Sequence, residues 1–321
     1  MDNNIIVDTK EKINDLGVKN SNVKLVKKGT LLFSFKLTIG KTAIAGKDLY
    51  TNEAIAALIP NELIVQRYLQ ELIVNNYIPL DVSSKKFGNT LNSKTIPLIK
   101  LPLPPIDIQE KIVDEISHLS DFEKVSSAEI EKKISVIEQM YEALYGNAKN
   151  SIRLSDKDVF VLTIGKRVLN KELLPTGKIP VYSANVFEPF GYFDKLLIKD
   201  FNQKSVIWGI DGDWMVNTID KNIPFYPTDH CGVLRLKDNT KLLENYVDYA
   251  LKREGSEYGF SRSKRASIDR IETIRIPVPD IKEQKKIVAK VLPLEAEIAR
   301  LQKEIDEIPA KKQAILDKYL K

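Results

Sequence analysis

Apolar residues follow two periods that alternate along the chain. Between about Ile106 and Asn147 they recur in steps of three and four, at Ile112, Ile116, Leu119, Phe122, Ile130, Ile134, Ile137, Tyr141 and Leu144. The same spacing returns from about Ile281 to the end, at Val288, Val291, Ile298, Leu301, Ile305, Ile308, Ile315 and Tyr319. Such a stripe with Glu and Lys on its flanks is the seam of a coiled coil. Pro309 interrupts the second stripe and predicts a kink in its last turns. Residues 1–100 and 151–275 lack this period and read as mixed, β-rich segments. The order is therefore globule, helix, globule, helix, with boundaries predicted at 1–104, 105–147, 148–279 and 280–321.

The two helical stretches begin alike. Residues 101–113, LPLPPIDIQEKIV, return at 276–288 as IPVPDIKEQKKIV, an ungapped offset of 276 − 101 = 175 residues. Pro102, Pro104, Ile106, Gln109, Lys111, Ile112 and Val113 match Pro277, Pro279, Ile281, Gln284, Lys286, Ile287 and Val288. Prolines belong in extended entries and at helix starts, so they mark one boundary twice. A repeat of this period means one unit built twice. Each helix would be roughly 60 Å long, too long for a globule with a radius of gyration of about 14 Å to bury. The economical partner is the other helix, and antiparallel pairing lets the second globule join them without strain. The fold class predicted is α+β: two β-rich domains with pseudo-twofold symmetry, separated by an antiparallel coiled coil like the jaws of a calliper.

Composition narrows the function. No apolar run is long enough to span a bilayer, and Met1-Asp2-Asn3-Asn4 does not open a signal segment. The lone Cys231 rules out an internal disulfide and suits a reducing cytoplasm. The net charge of +5 permits an anionic partner without demanding one. Local charge says more. Ser261-Arg262-Ser263-Lys264-Arg265 is basic, and the first copy has a basic, amide-rich stretch around Lys85, Lys86, Asn89 and Asn92. These side chains reach phosphates and base edges. Lys36, Thr38 and Lys41, in a strand-loop of the first copy, and Lys166 and Arg167, in the second, complete the candidate nucleic-acid-binding set, the alternative being solvated surface loops.

The chain resembles the DNA-specificity (S) subunit of type I restriction–modification systems along essentially its whole length. The doubled Pro-x-Pro-x-x-x-x-Gln-x-x-Ile-Val helix entry and the Gln302–Leu320 ending carry the resemblance most strongly. Lys28–Phe33 with Thr38–Lys41, and Ser205–Trp208, carry it more weakly. It implies two target-recognition domains, each reading half of a bipartite site in double-stranded DNA. It further implies helices that dock adenine methyltransferase subunits, with translocating nuclease subunits joining the full complex. Gln109, Ile112, Gln284 and Ile287 are the partner-binding candidates. S-adenosylmethionine, ATP and magnesium are expected on those partners, with no cofactor or metal on this chain. One departure stands out. At an offset near 175, residues 151–175 have no counterpart, so the first domain reads as truncated, from a frame-split gene or from a fusion with an upstream methyltransferase.

A search for catalytic residues comes back empty. There is no Asn/Asp-Pro-Pro-Tyr/Phe loop for a flipped base and no Walker phosphate loop, and two histidines with one cysteine make no usual zinc set. Adjacent His230 and Cys231 would point to opposite faces of a strand. Pro279-Asp280 with Glu283-Gln284-Lys285 resembles a nuclease motif but reads as a helix start. Phe187, Phe190, Tyr192 and Phe193 could stack on bases or form core, and Asp211 and Asp213 could suggest a metal or a plain hairpin turn. The expectation is a non-catalytic, sequence-specific DNA reader. The alternative is a coiled-coil scaffold, or a fragment of a methyltransferase fusion, that no longer reads DNA.

Overall fold

The computed structural model describes residues 5–36, 38–78, 91, 95–237 and 239–321. In chain order the elements begin with β1 (Ile5–Ile6), α1 (Asp15–Lys19), β2 (Leu25–Val26), β3 (Leu31–Ser34), β4 (Thr42–Ala45), β5 (Leu49–Tyr50), β6 (Ile55–Leu58) and α2 (Gln66–Val74). The long helix α3 (Ile106–Gly146) follows. Then come β7 (Asn150–Arg153), β8 (Phe160–Ile164), β9 (Ile179–Tyr182), β10 (Gly191–Phe193), β11 (Ser205–Gly209), β12 (Val216–Ile219), β13 (Tyr226–Pro227) and β14 (Cys231–Leu236). The chain ends with α4 (Glu244–Tyr258), α5 (Ile268–Ile271), β15 (Arg275–Val278), α6 (Ile281–Asp306) and α7 (Ile308–Leu320). It divides into two compact units, Met1–Ile130 with Arg300–Lys321, and Glu131–Ala299.

In the first unit, a sheet of order β1-β4-β3-β6 packs on α2. Every residue of β3 is buried, as the central strand of a covered sheet must be. Leu31, Phe33, Tyr68 and Leu72 meet Ile112 and Ile116 of α3 and Leu316 of α7 in one core. Lys318 pairs with Glu115 at 2.9 Å and Lys312 with Glu123 at 3.4 Å. The chain numbers run in opposite senses, so α7 lies antiparallel to the start of α3.

The second unit repeats the plan. A sheet of order β12-β11-β14-β8 packs on α4, and β15 pairs antiparallel with β7. Fully buried Trp208 lies across Gly232 of the neighbouring strand, where a Cβ would come within 2.1 Å of its ring. Tyr141 and Leu144 of α3 and Val291 of α6 close this core. Lys133 pairs with Glu297 at 2.7 Å and the Tyr141 hydroxyl lies in the field of Glu295, so α3 and α6 again run antiparallel. Among the described residues β6 has a strand on one side only, whereas β14 carries β8 on its outer side.

The repeated helix entry has a mechanical role. In the first unit Gln109 Oε1 accepts from the Val65 amide at 2.8 Å, while Nε2 donates to the Leu63 and Pro104 carbonyls at 2.9 and 2.8 Å. In the second, Gln284 Oε1 accepts from Leu243 at 2.9 Å and Nε2 donates to Lys241 and Pro279 at 2.8 and 2.9 Å. Tyr68 donates to the Pro102 carbonyl and Tyr246 to that of Pro277, both at 3.0 Å. Each clamp ties the helix entry to the segment that leads into the short helix of its unit. Gln109, Ile112 and Gln284 are 0 % exposed, and Ile287 packs against the second core. This corrects the partner-binding expectation: the glutamines' amide groups are spent inside the chain, so they cannot form a docking surface.

The seam differs from expectation in detail. Phe122 and Ile134 are exposed, and fully buried Leu316 takes the inward place beside Ile315. The helix breaks at Glu307 with Pro309 in the first turn of α7, as its missing N–H allows. A second proline, Pro293, sits inside α6 and was not anticipated.

Candidate nucleic-acid interface

The candidate residues of the second unit collect at one end of its main sheet. Ile164 pairs with Gly232 and Gly209 with Cys231, so the ends of β8 and β11 meet the start of β14. Lys166 and Arg167 leave this edge exposed, just past Gly165, whose amide donates to the Thr228 carbonyl at 3.1 Å. A Cβ on Gly165 would stand 1.8 Å from the Pro227 carbonyl oxygen, so only glycine lets the chain turn outward here.

The 261–266 segment comes to the same edge. Ser261 and Lys264 bond each other's backbone at 3.1 and 3.0 Å, closing a tight turn. Ala266 holds it in place: its amide donates to the Ile210 carbonyl at 2.9 Å, and its carbonyl accepts from Trp208 Nε1 at 2.8 Å. Ser261 and Ser263 hydroxyls bond each other at 3.2 Å. Lys264 is committed inward, its ammonium donating to the Tyr258 carbonyl and lying 3.9 Å from the centre of the Tyr258 ring. Arg265 is tethered to Asp211, its Nη2 donating to Oδ2 at 3.1 Å and its Nε pairing with Oδ1. His230 Nδ1 also bonds Asp211 Oδ2. Burial opposes ionisation of Asp211, but the bonds from His230 and Arg265 outweigh it and hold the carboxyl below its ordinary range. Arg262 is exposed at the turn tip, with no hydrogen bond or ion pair among the described residues.

Asp211 and His230 were not chosen from sequence as site residues, yet they hold the turn together. Asp211 lies 54 residues from Arg265 and 19 from His230, so no local pattern could join them. His230, in the turn before β14, is about half exposed, and Cys231, the first residue of the strand, is 0 % exposed. Burial pushes the Cys231 thiol up to about 12, which leaves it no nucleophile. Phe187 and Phe190 are exposed, whereas Phe193 is buried against Tyr226. Asp280 Oδ1 accepts from the Lys282 amide at 2.8 Å, the bond of a helix start.

In the first unit the β3–β4 turn carries Lys36, Thr38 and Lys41, all exposed. Ser34 and Thr38 hydroxyls bond at 3.0 Å, and Gly40 supplies the left-handed backbone (φ 90°) that closes the turn. At an offset of 175 this is the β11–β12 turn of the second unit, and Lys36 takes the place of Asp211. The two units thus offer different chemistry on one framework. Lys85, Lys86, Asn89 and Asn92 lie outside the described residues.

Phosphate oxygens ask for exposed cations and hydroxyls, and base edges ask for guanidinium or amide groups. Two copies of one α+β scaffold, each with such a turn at a sheet end, make a duplicated protein. The family model of the type I restriction modification DNA specificity domain matches residues 2–138 and 154–310, and the chain belongs to that family. It is similar to the type I restriction enzyme MjaIX specificity subunit of Methanocaldococcus jannaschii, at 24% identity over 96% of this chain and 80% of that one. A putative type I specificity subunit of Haemophilus influenzae is 23% identical over 80% of this chain and 69% of its own length. The S subunit of a type I restriction–modification system from M. genitalium shares the fold, with a TM-score of 0.60 at 16% identity over 93% of this chain and 84% of that chain. This chain is accordingly the DNA-recognition subunit of such a system.

Proposed function

We propose that each unit reads one half of a bipartite site in double-stranded DNA, and that the chain is not itself an enzyme. Adenine methyltransferase subunits dock on the spacer helices and bring S-adenosylmethionine. Translocating nuclease subunits, with ATP and magnesium, complete the assembly in the cytoplasm. The observation that carries this reading is the duplicated scaffold, whose equivalent turns bear different side chains: two copies of one reader, set for two half-sites. Among the described residues no cluster of His, Cys, Asp and Glu could hold a metal, and no helix is long and apolar enough to cross a membrane.

The test is a reconstitution. Purified alone, with S-adenosylmethionine, ATP and magnesium, the chain is expected neither to methylate nor to cut DNA. It is expected to direct methylation once a methyltransferase subunit is added. Activity that stays with the lone chain through purification would overturn the proposal.

A further inference from the structure

The second unit contains a cleft of about 850 Å³, bounded by α3, α4, β12 and α6. Its lining is acidic: Glu138, Glu142, Asp220, Asp248 and Glu295 stand against Lys204, Lys252 and Arg253. All three cations are already engaged, Lys204 with Asp220 at 2.8 Å, Lys252 with Asp248 at 2.7 Å and Arg253 with Glu142 at 2.9 Å. Glu138 and Glu295 are left over, with no hydrogen bond or ion pair among the described residues. Burial of the Glu295 carboxyl pushes its pKa above the ordinary range; Lys204 and Lys252 pull against the push, and Asp248 and Asp220 add to it.

A second observation comes from the cleft's inner surface. Tyr141 is 3 % exposed, and among the described residues its hydroxyl has no hydrogen-bond partner; Asp248 Oδ1 and Thr218 Oγ1 are likewise unpartnered there. The Tyr141 ring is held by stacking on Tyr249 at 5.0 Å, with its hydroxyl in the field of Glu295 and Asp248. Leaving such groups unpaired costs stability comparable to a lost hydrogen bond. Ile134, Ile137 and Ile298 supply apolar wall to the same cleft. A lining that combines acceptor oxygens with aliphatic surface suits a long cationic side chain, whose methylenes pack while its head donates. Surplus carboxylate excludes a phosphate.

The fold does not require these groups. At the repeat offset of 175, Leu316 stands in the place of Tyr141 and Ser120 in that of Glu295. At the offset of 178 that relates Tyr246 to Tyr68, Gln70 replaces Asp248, and it donates to Thr42 at 3.3 Å. The first unit builds the same frame without these three groups.

We propose that this cleft receives an arginine side chain from the docked methyltransferase subunit, fixing that subunit against α3 and α6. The proposal rests on the docking role given above and names its anchor. The experiment measures assembly of the full chain with the methyltransferase subunit by calorimetry, beside DNA affinity, for wild type, Glu295→Gln, Glu295→Lys and Tyr141→Phe. Glu295→Lys is expected to weaken assembly at least tenfold and the two milder variants several-fold, with DNA affinity held within about twofold as the control for folding. Unchanged assembly in all three variants overturns the proposal. So does agmatine, used as a free guanidinium probe, if it fills the cleft without competing with the subunit, since the cleft would then serve a small cation. Failure of the wild-type chain to assemble would instead overturn the docking role itself, so the two failures are separate.

Discussion

Gln109 and Gln284 each satisfy one amide and two carbonyls at a buried junction. Replacing either by Ala strands three backbone groups, and buried unpaired groups cost about 1–3 kcal/mol each before relaxation or water entry. Gln284→Ala is expected to lower the stability of the second unit by about 2–4 kcal/mol, read as a shift in the urea midpoint. A normal midpoint with weakened partner binding would restore the docking role first expected for these residues. The repeat made both glutamines visible in the sequence, but their purpose was hidden. Apart from the Pro104 and Pro279 carbonyls, their partners lie more than 40 residues away, and nothing local distinguishes a clamp from a surface contact.

The helix contacts also respond to pH. Glu142 is held below its ordinary 4.5 by Arg253 and then Tyr249, and Glu115 by Tyr319 and then Lys318. Both carboxyls are depressed in the folded chain, so their contribution is fully present above 4.5 and is lost as pH falls through the folded values. Because both are solvent-exposed pairs, the expected loss is shallow. Urea titrations at stepped acid pH should show it, and Glu142→Gln should remove part of it. An equal pH slope in that variant would discount the Glu142 pairing.

Among elements, the helices were the most legible. A stripe sustained over forty residues leaves little choice of period, and α3 covers the expected stretch at Ile106–Gly146. The positions that face inward were less so: Phe122 and Ile134 carry apolar side chains but are exposed. Period fixes a face only approximately, and what packs on it is decided elsewhere in the chain. The basic turn at 261–265 was legible as charge but not as geometry. Lys264 and Arg265 are tied to Tyr258 and Asp211, which leaves Arg262 as the turn's uncommitted cation. Arg262→Ala is therefore expected to flatten the salt dependence of DNA binding by about one unit of slope. Lys264→Ala should act on the turn's stability instead. An unchanged slope for Arg262→Ala would remove this turn from the phosphate contacts.

For the whole molecule, the repeat announced two copies of one unit, and the two cores bear this out with matched clamps. The difference between the copies was legible only in part. The 151–175 stretch stood out as unmatched, and it supplies β7 and β8. The exchange of Lys36 for Asp211 follows from the same offset, but that both stand in a turn between paired strands needed the strand register. Two scaffolds with different turns should read two different half-sites. The most direct measurement maps methylated adenines across the genome of a methylation-free host that carries this chain and its methyltransferase. The same map is then made after residues 261–265 are replaced by a neutral glycine–serine turn. A two-part motif with an unread spacer is expected, with relaxation of one part alone in the variant. A single uninterrupted motif, or loss of preference in both parts together, would contradict it.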